Sequence, residues 1–343
     1  MTTATPTGAR RARELLSGDG VRIRFGPYDV PGAVRRFFDR VQPRVAIFME
    51  TELWPNLHQE CLRRGVPRII ASARLSTRSW PRYRRLRWLM SPLLARGVNI
   101  SAQSEDDAAR FRELGAPATA VQVDGNLKFE VSVDAQARAG GRELRRRDLG
   151  ERRVWTAGST HAGEEERVLD AHALVRAAVP GALLVLAPRH PNRFDAVAAL
   201  LERRAVNFVR RSGGVAPGAD VEVLLLDTLG ELPLFYAAAD AAFVGGSLVP
   251  IGGHNLLEPA ALGVPVASGP HQSNSPEIAR LMFDSGAAVQ VTDATQLADA
   301  ISSWLIEPGE SARIGAIGRA VVARNRGSLQ RVLALVDLAL PRA

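Results

Sequence analysis

The densest group of residues able to hold a ligand is Phe243 to Ala261, reading FVGGSLVPIGGHNLLEPAA. An apolar, strand-like run enters one glycine pair, Gly245 and Gly246, then a second, Gly252 and Gly253, followed by His254, Asn255 and a helix start near Glu258 and Pro259. Glycines at the carboxyl end of a strand let backbone approach a ligand closely, and the helix start that follows offers unpaired N–H groups to an anion. The expected chemistry is retention of a nucleotide phosphate, with Glu258 placed to accept hydrogen bonds from ribose hydroxyls. Pro259 suits a first helical turn, where its missing N–H would be unpaired anyway. The competing reading is a glycine-rich turn with no ligand.

Two further strand ends belong with this one. Leu186 to Arg193, LAPRHPNR, presents Arg189 and His190 to a crevice, and the planar guanidinium of Arg189 can make a forked contact with phosphate. A surface ion pair is the plain alternative for Arg189. Asp227 to Leu232, DTLGEL, places Gly230 where backbone can approach a ligand and Glu231 as a polar contact or a helix-start acid. Three strand ends meeting at one crevice are what a ligand site in an open parallel sheet requires.

The elements that must position these residues alternate between short Val/Ile-rich runs and stretches of helical period, the pattern of βαβ units. Strands are expected near Val21–Phe25, Arg44–Met49, Arg68–Ala71, Asn99–Ala102 and Ala120–Val123, with helices over Pro31–Arg40, Pro55–Arg64, Pro81–Ala95 and Glu105–Leu114. Ser104 before three acids reads as an N-cap, and Gly115 as the stop. An Arg-rich stretch from Asp134 to Arg153 separates this series from a second, with strands near Val154–Ala157, Ala182–Ala187, Asn207–Val209, Glu222–Leu226, Ala241–Val244, Pro265–Ser268 and Ala288–Gln290. The expected domains are residues 1–140, 150–325 and a C-terminal helix over 326–343. The first sheet is short of its opening strands.

A length of 343 residues suits two domains, and 46% apolar with 23% charged residues suits packed globular structure. The formal charge of +8 is carried by arginine, since Lys128 is the single lysine. That balance fits a phosphate-bearing ligand or an anionic membrane surface, and equally a codon bias spread over solvated faces. Nothing in the residues points to nucleic acid. Cys61 is the sole cysteine, so neither an internal disulfide nor a cysteine-based metal site can form. No apolar run of about eighteen residues occurs, and Met1 to Arg13 lack the apolar region of a secretory signal.

In order and spacing, ETELWPNL (Glu50–Leu57), ARLSTRS (Ala73–Ser79), AQSEDDAARFRELGA (Ala102–Ala116), GNLKFE (Gly125–Glu130), AGSTHAGEEE (Ala157–Glu166), APRHPNRF, DTLGEL and GGSLVPIGGHNLLEPAALGVPV resemble the 3-deoxy-D-manno-octulosonic acid (Kdo) transferases. The resemblance covers nearly the whole chain. It implies an α/β fold of GT-B type, two Rossmann-like domains with parallel sheets, the first truncated at its N-terminus. It also implies transfer of Kdo from CMP-Kdo to the lipid A precursor lipid IVA, releasing CMP, at the cytoplasmic face of the bacterial inner membrane.

Carried over residue by residue, the resemblance puts CMP contacts on Pro188 and Arg189, on Leu229, Gly230 and Glu231, and on Asn255, Leu256, Leu257 and Glu258. Ser159, Thr160 and His161 look like the loop facing the donor sugar, with Gly246, Ser247 and His254 in support; helix capping before Glu164–Glu166 is the other reading of that loop. Glu52, Arg74, Arg78 and Lys128 are the acceptor-side candidates. Arg82, Tyr83, Arg84, Arg85, Arg87 and Trp88 mix cations with aromatic rings as an anionic lipid surface would require, unless Trp88 packs inward.

The family carries its general-base glutamate ahead of the matching region, so no catalytic residue is assigned, and Glu52 stands as a substitute base. No cofactor and no metal are expected, because Arg189 and a helix N-terminus can stabilise a single-phosphate leaving group. A CMP-binding remnant without turnover and a uridine-nucleotide enzyme of the same fold are the competing readings.

Overall fold

A computed structural model describes residues 1–16, 18, 20–130 and 135–340. The chain divides into two compact units, Met1–Leu127 with Arg326–Ala343, and Lys128–Asn325. Asp134, where the inter-domain stretch was expected to begin, lies outside the described residues. The helix Ala135–Leu144 and the wider turn Arg145–Leu149 belong to the second unit rather than to a linker. The cause is close packing: Gly140 and Gly141 let that helix lie against Leu234 and Ala237, and Arg145 donates to the carbonyl of Ala238 and the carboxylate of Asp240, both at 3.1 Å.

In the first unit β1 (Thr2–Thr3) and β2 (Arg24–Phe25) form a separate two-stranded parallel ladder. The strand expected over Val21–Phe25 is thus shorter and lies outside the main sheet; of this run Ile23 alone is buried, and Val21 and Phe25 are exposed. The main sheet is parallel, with β3 (Ala46–Met49), β4 (Arg68–Ala73), β5 (Val98–Ala102) and β6 (Val121–Val123) in that order. Helices Pro55–Arg64 and Glu105–Leu114 fall where Pro at the helix start, Ser104 and the terminal glycines put them. Ser104 Oγ accepts the N–H of Asp107 at 3.2 Å, and Gly65 and Gly115 take the left-handed conformation that ends each helix. The single helix expected over Pro81–Ala95 is two, Trp80–Arg85 and Arg87–Leu94, because Leu86 leaves helical geometry at ψ 13°.

Side chains of β4 alternate between two cores. Ile70 joins the helices of one face, while Ile69 and Ala71 meet Val332 and Leu335 of the helix Ser328–Ala339. The C-terminal segment is therefore the cover of one face of the first sheet, not an independent appendage.

The second unit holds seven parallel strands: β7 (Val154–Thr160), β8 (Leu183–Pro188), β9 (Phe208–Arg210), β10 (Val223–Leu225), β11 (Ala241–Val244), β12 (Val266–Ser268) and β13 (Ala288–Gln290). Their order is β13-β12-β11-β7-β8-β10-β9. Trp155, Leu184, Leu186 and Phe243 enter one core, and Val154, Leu183, Val185, Ala242 and Val244 enter cores on the other face. Both faces are covered, as an all-parallel sheet demands. Every strand's carboxyl end opens on one edge.

One core polar pair makes this unit sensitive to acid. Trp155 donates its indole N–H to His172 Nδ1 at 3.1 Å, and His172 Nε2 faces the carbonyl of Glu222 at 3.0 Å, so the neutral ring satisfies both. Burial first, then the charges of Arg176 and Arg152, pull the His172 pKa down from 6.5 to about 3. A histidine held neutral in the fold but free to protonate when unfolded loses stability as pH falls below 6.5, by about 2 kcal/mol on reaching pH 5. Urea titrations at pH 7.5 and 5 should show His172→Gln losing about 2 kcal/mol less than wild type between the two conditions; equal losses would remove His172 as the cause.

Candidate nucleotide site

In the second unit β7 lies between β8 and β11, and the chain reverses its direction of sheet growth between β7 and β11. Open parallel sheets bind ligands outside the strand ends at such a point. The segments leaving β7, β8 and β11 there are His161–Glu164, Arg189–Arg193 and Gly245–Leu256, which contain His161, Arg189, Gly246, Ser247, His254, Asn255 and Leu256 of the residues expected from the sequence.

The geometry of these segments is set by Glu164. Its fully buried carboxylate accepts N–H groups from Gly246 (2.6 Å), Ser247 (2.9 Å), Leu248 (2.8 Å) and His161 (3.1 Å). The N–H groups of Gly246 and Ser247, expected to support a ligand, are thus bound inside the protein. The glycines follow the same logic. A side chain on Gly245 would meet the Ser159 carbonyl at 2.7 Å, and one on Gly246 would meet the His254 ring at 2.8 Å. Gly252 and Gly253 return their N–H groups to the Gly246 carbonyl at 3.1 and 2.7 Å. These glycines fold the loop upon itself; they do not bare backbone to a ligand.

Ser247 Oγ bonds the Val244 carbonyl at 2.7 Å and accepts the Gly269 N–H at 2.8 Å, fastening the loop to the end of β12. Ser159 sits at φ 58°, where the register of β7 against β8 shifts, and is a bulge in the strand's end rather than a turn beyond it. The Thr160 carbonyl accepts the Arg189 N–H at 3.0 Å, while its own hydroxyl is buried without a hydrogen-bond partner among the described residues.

Three histidines gather at this edge. His161 Nε2 and His254 Nε2 are 2.8 Å apart, and the His190 ring stands edge-on to His161 at 5.4 Å between centroids. Arg189 is exposed, and its guanidinium makes no hydrogen bond or ion pair with a described residue. Its charge is felt by His161, His254 and Glu258. Glu258 is held above the ordinary carboxyl range mainly by burial, opposed by a 3.2 Å hydrogen bond from Asn255 Nδ2 and by Arg189. Asn255 Oδ1 also accepts the Leu257 N–H at 3.1 Å, starting the helix Leu257–Leu262, in which Pro259 occupies the third position. Leu256 and Leu257 are buried beneath it, and Pro188 closes β8 in the interior.

The turn after β10 behaves differently. Gly230 takes φ 86° with open space around it, and Leu229 is 73% exposed. Glu231, expected as a ligand contact, is bound to Arg211 at 2.8 Å and to the Thr228 hydroxyl, and Arg211 holds its pKa below the usual carboxylate value. Arg189 and Glu258 are thus brought into one electrostatic neighbourhood, whereas the polar contacts of Glu231 run to Arg211 and Thr228.

Lys128 donates to Ser275 Oγ at 3.1 Å, beside a hollow of about 310 Å³ lined by His254, Asn255 and Asn274. In the first unit Glu52 and Arg78 lie on the surface, and Arg74 is half-buried with its N–H on the Glu50 carbonyl at 3.3 Å. Partial burial and then Glu50 raise the Glu52 pKa. Glu50, not singled out from the sequence, sits at φ 53° at the end of β3, a strained conformation for a residue with a side chain. Trp88 is 74% exposed, so its inward-packed alternative is not the one adopted.

A seven-stranded and a four-stranded parallel sheet in separate units, with a ligand edge on the larger, define a glycosyltransferase of GT-B type. A family model described as glycosyl transferases group 1 matches residues 212–321, and one described as 3-deoxy-D-manno-octulosonic-acid transferase matches residues 1–131. The chain is 40% identical to the 3-deoxy-D-manno-octulosonic acid transferase of Haemophilus influenzae over 99% of its own length and 80% of that protein's, and 39% identical to that of Bordetella pertussis over 97% and 79%. It belongs to the 3-deoxy-D-manno-octulosonic acid transferase family. Among solved structures, the C-terminal CMP-Kdo binding domain of WaaA from Acinetobacter baumannii aligns at 36% identity with a TM-score of 0.53, over 55% of this chain and 99% of that one. The UDP-GlcNAc 2-epimerase of Neisseria meningitidis, at 15% identity and a TM-score of 0.62 over 98% of this chain, shares the fold.

In the sequence Glu164 figures only as the start of the Glu164–Glu166 run that the preceding loop could cap, because three of the four N–H donors to its carboxylate lie more than eighty positions away. Replacing it by Ala leaves four N–H groups to find other acceptors, at a cost of about 3–5 kcal/mol. Urea unfolding of Glu164→Ala is expected to show that loss; a change within experimental error would refute the central role given to this carboxylate.

Proposed function

We propose that this glycosyltransferase moves Kdo from CMP-Kdo to lipid IVA and releases CMP. The observation that carries the reading is Arg189: a guanidinium without a partner among the described residues, at the end of β8, beside the point where the sheet reverses, in a chain of which 55% aligns with nearly all of a CMP-Kdo binding domain. Arg189 takes the phosphate as a bidentate donor, and Pro188 fixes its approach. Asn255 and Glu258 face the nucleoside, Glu258 accepting from ribose hydroxyls. Leu256 and Leu257 hold these two residues in place from below. Leu229, Gly230 and Glu231 form the outer rim on the β10 side, with Glu231 kept rigid by Arg211.

In the reaction the acceptor hydroxyl oxygen bonds the sugar's anomeric carbon and passes its proton to a base, the role for which Glu52 stands, while the bond from that carbon to the phosphate oxygen breaks and the phosphate gains charge. A fixed cation 2.7–3.1 Å from that oxygen favours the transition state over the bound donor. Ser159, Thr160 and His161, with Gly246, Ser247 and His254 behind them, shape the donor-sugar side. Glu52, Arg74, Arg78 and Lys128 serve the acceptor, whose phosphates match the cations.

No helix among the described residues is long and apolar enough to cross a membrane. Exposed Trp88, with Arg84, Arg85 and Arg87 in the same helical pair, supports peripheral docking on an anionic bilayer, which fits a lipid acceptor and the cytoplasmic face of the inner membrane.

Calorimetry with CMP and a transfer assay from CMP-Kdo to lipid IVA test this together. Arg189→Ala is expected to weaken CMP binding about 10- to 100-fold, the worth of a charged hydrogen-bonding contact, with unchanged thermal unfolding. CMP affinity indifferent to Arg189→Ala sinks the site. Tight CMP binding with no transfer reduces the chain to a nucleotide-binding protein.

A further inference from the structure

His161 and His254 meet in an unusual way. Their planes are 5° apart, their centroids 5.0 Å apart and their Nε2 atoms 2.8 Å apart. A centroid separation so much longer than the nitrogen–nitrogen contact means that the rings meet tip to tip, joined by a hydrogen bond, rather than lying face upon face. Gly246 makes this possible, since a Cβ there would press on His254 Cδ2 and Nε2 at 2.8 and 2.9 Å.

Such a bond has a strict proton count. One Nε2 carries the hydrogen and the other accepts it, so the pair is neutral or singly charged and never doubly charged. In the neutral pair one outward Nδ1 donates and the other accepts. In the singly charged pair both Nδ1 atoms donate. Taking up a proton therefore converts a mixed surface into an all-donor, positively charged one, and neither Nδ1 has a hydrogen-bond partner among the described residues.

The surroundings say when that happens. The groups facing the pair are Arg189, His190 and Arg193 on the segment after β8 and Glu164 after β7. Glu164 is the one acid among them, and its oxygens are already bound to four backbone N–H groups. Burial first, then neighbouring cations, hold His254 near 4 and depress His161, where only Glu164 pulls the other way. Both shifts favour the neutral pair when no anion is bound. Glu258, which Arg189 also faces, is engaged by Asn255, so an anion seated beside Arg189 adds negative charge that neither acid directs at the two rings.

We propose that His161 and His254 form a proton-coupled anion receptor: docking of the nucleotide phosphate against Arg189 draws one proton from solvent onto the pair, and departure of CMP returns it. The proposal rests on the assignment of the phosphate to Arg189. Its consequence for turnover is direct. The phosphate of the donor is a diester with one negative charge, whereas released CMP acquires a second, with a pKa of about 6. The shared proton is therefore held most tightly when the leaving phosphate is most charged, and rising pH favours product release.

The test is calorimetry of CMP binding to the full chain at about pH 7 in two buffers of different ionisation enthalpy. Wild type is expected to take up more than half a proton per CMP bound, after allowance for the minor monoanion of a phosphate with pKa about 6. His161→Gln and His254→Gln should each abolish the uptake and weaken binding at pH 7 about two- to tenfold, the linkage gain of a pair whose pKa in the complex lies between that pH and about one unit above it. Nitrogen NMR of histidine-labelled wild type, which needs no variant to fold, should show both rings neutral without ligand and an averaged imidazolium signal with CMP. CMP binding that depends on Arg189 but brings no proton uptake and no change at the two rings overturns the receptor and leaves the phosphate site standing. Failure of wild type to bind CMP, or binding indifferent to Arg189→Ala, overturns both.

Discussion

The carboxylate of Glu164 is the constraint on which the rest of the site depends. Four backbone N–H groups from two loops converge on it, with no water-exposed surface between them. An ionised carboxylate buried in this way is tolerated only because its acceptor capacity is filled, and the same bonds relieve N–H groups that would otherwise be buried without partners. Through them the end of β7 and the end of β11 become one rigid piece. His161 and His254 meet at 2.8 Å because their loops are tied to the same two oxygens.

A second constraint accounts for part of the chain's basic excess. Many arginines are structural. Arg68 is fully buried and donates to the carbonyls of Leu93, Arg96 and Gly97; Arg152 reaches those of Gly181, Gly218 and Val221; Arg331 reaches that of Asp124. A planar guanidinium with five donors closes several orphaned carbonyls at once, which lysine cannot do. Others are paired with carboxylates, as Arg210 is with Asp195 and Asp227. Net charge is therefore a poor guide to function in this molecule, and the lack of a partner for Arg189 among the described residues is informative against that background.

Much of the architecture was legible in the residues. Ala241–Val244 and Ala288–Gln290 lie where the apolar runs put them, and Pro55–Arg64 and Glu105–Leu114 lie between their own start and stop signals. Departures occur where local pattern is silent about long-range packing. The Arg-rich stretch Asp134–Arg153 looked like a separator of two domains, yet the glycines of its helix Ala135–Leu144 let that helix sit close against Leu234 and Ala237. The terminal helix Ser328–Ala339 looked independent, yet it supplies the missing cover for Ile69 and Ala71.

By itself the sequence determined the parallel α/β class, the motif blocks that place the chain in its family, and the strand ends where polar residues cluster, because all of these are written in contiguous stretches. Only the tertiary structure decided what those polar residues do. It turned the glycine pairs inward, bound Glu231 to Arg211, bound Lys128 to Ser275, left Arg189 without a partner among the described residues and set two histidines tip to tip. Hydrogen-bond partners separated by twenty residues or more are chosen by sheet order and loop packing, and no local spacing encodes them.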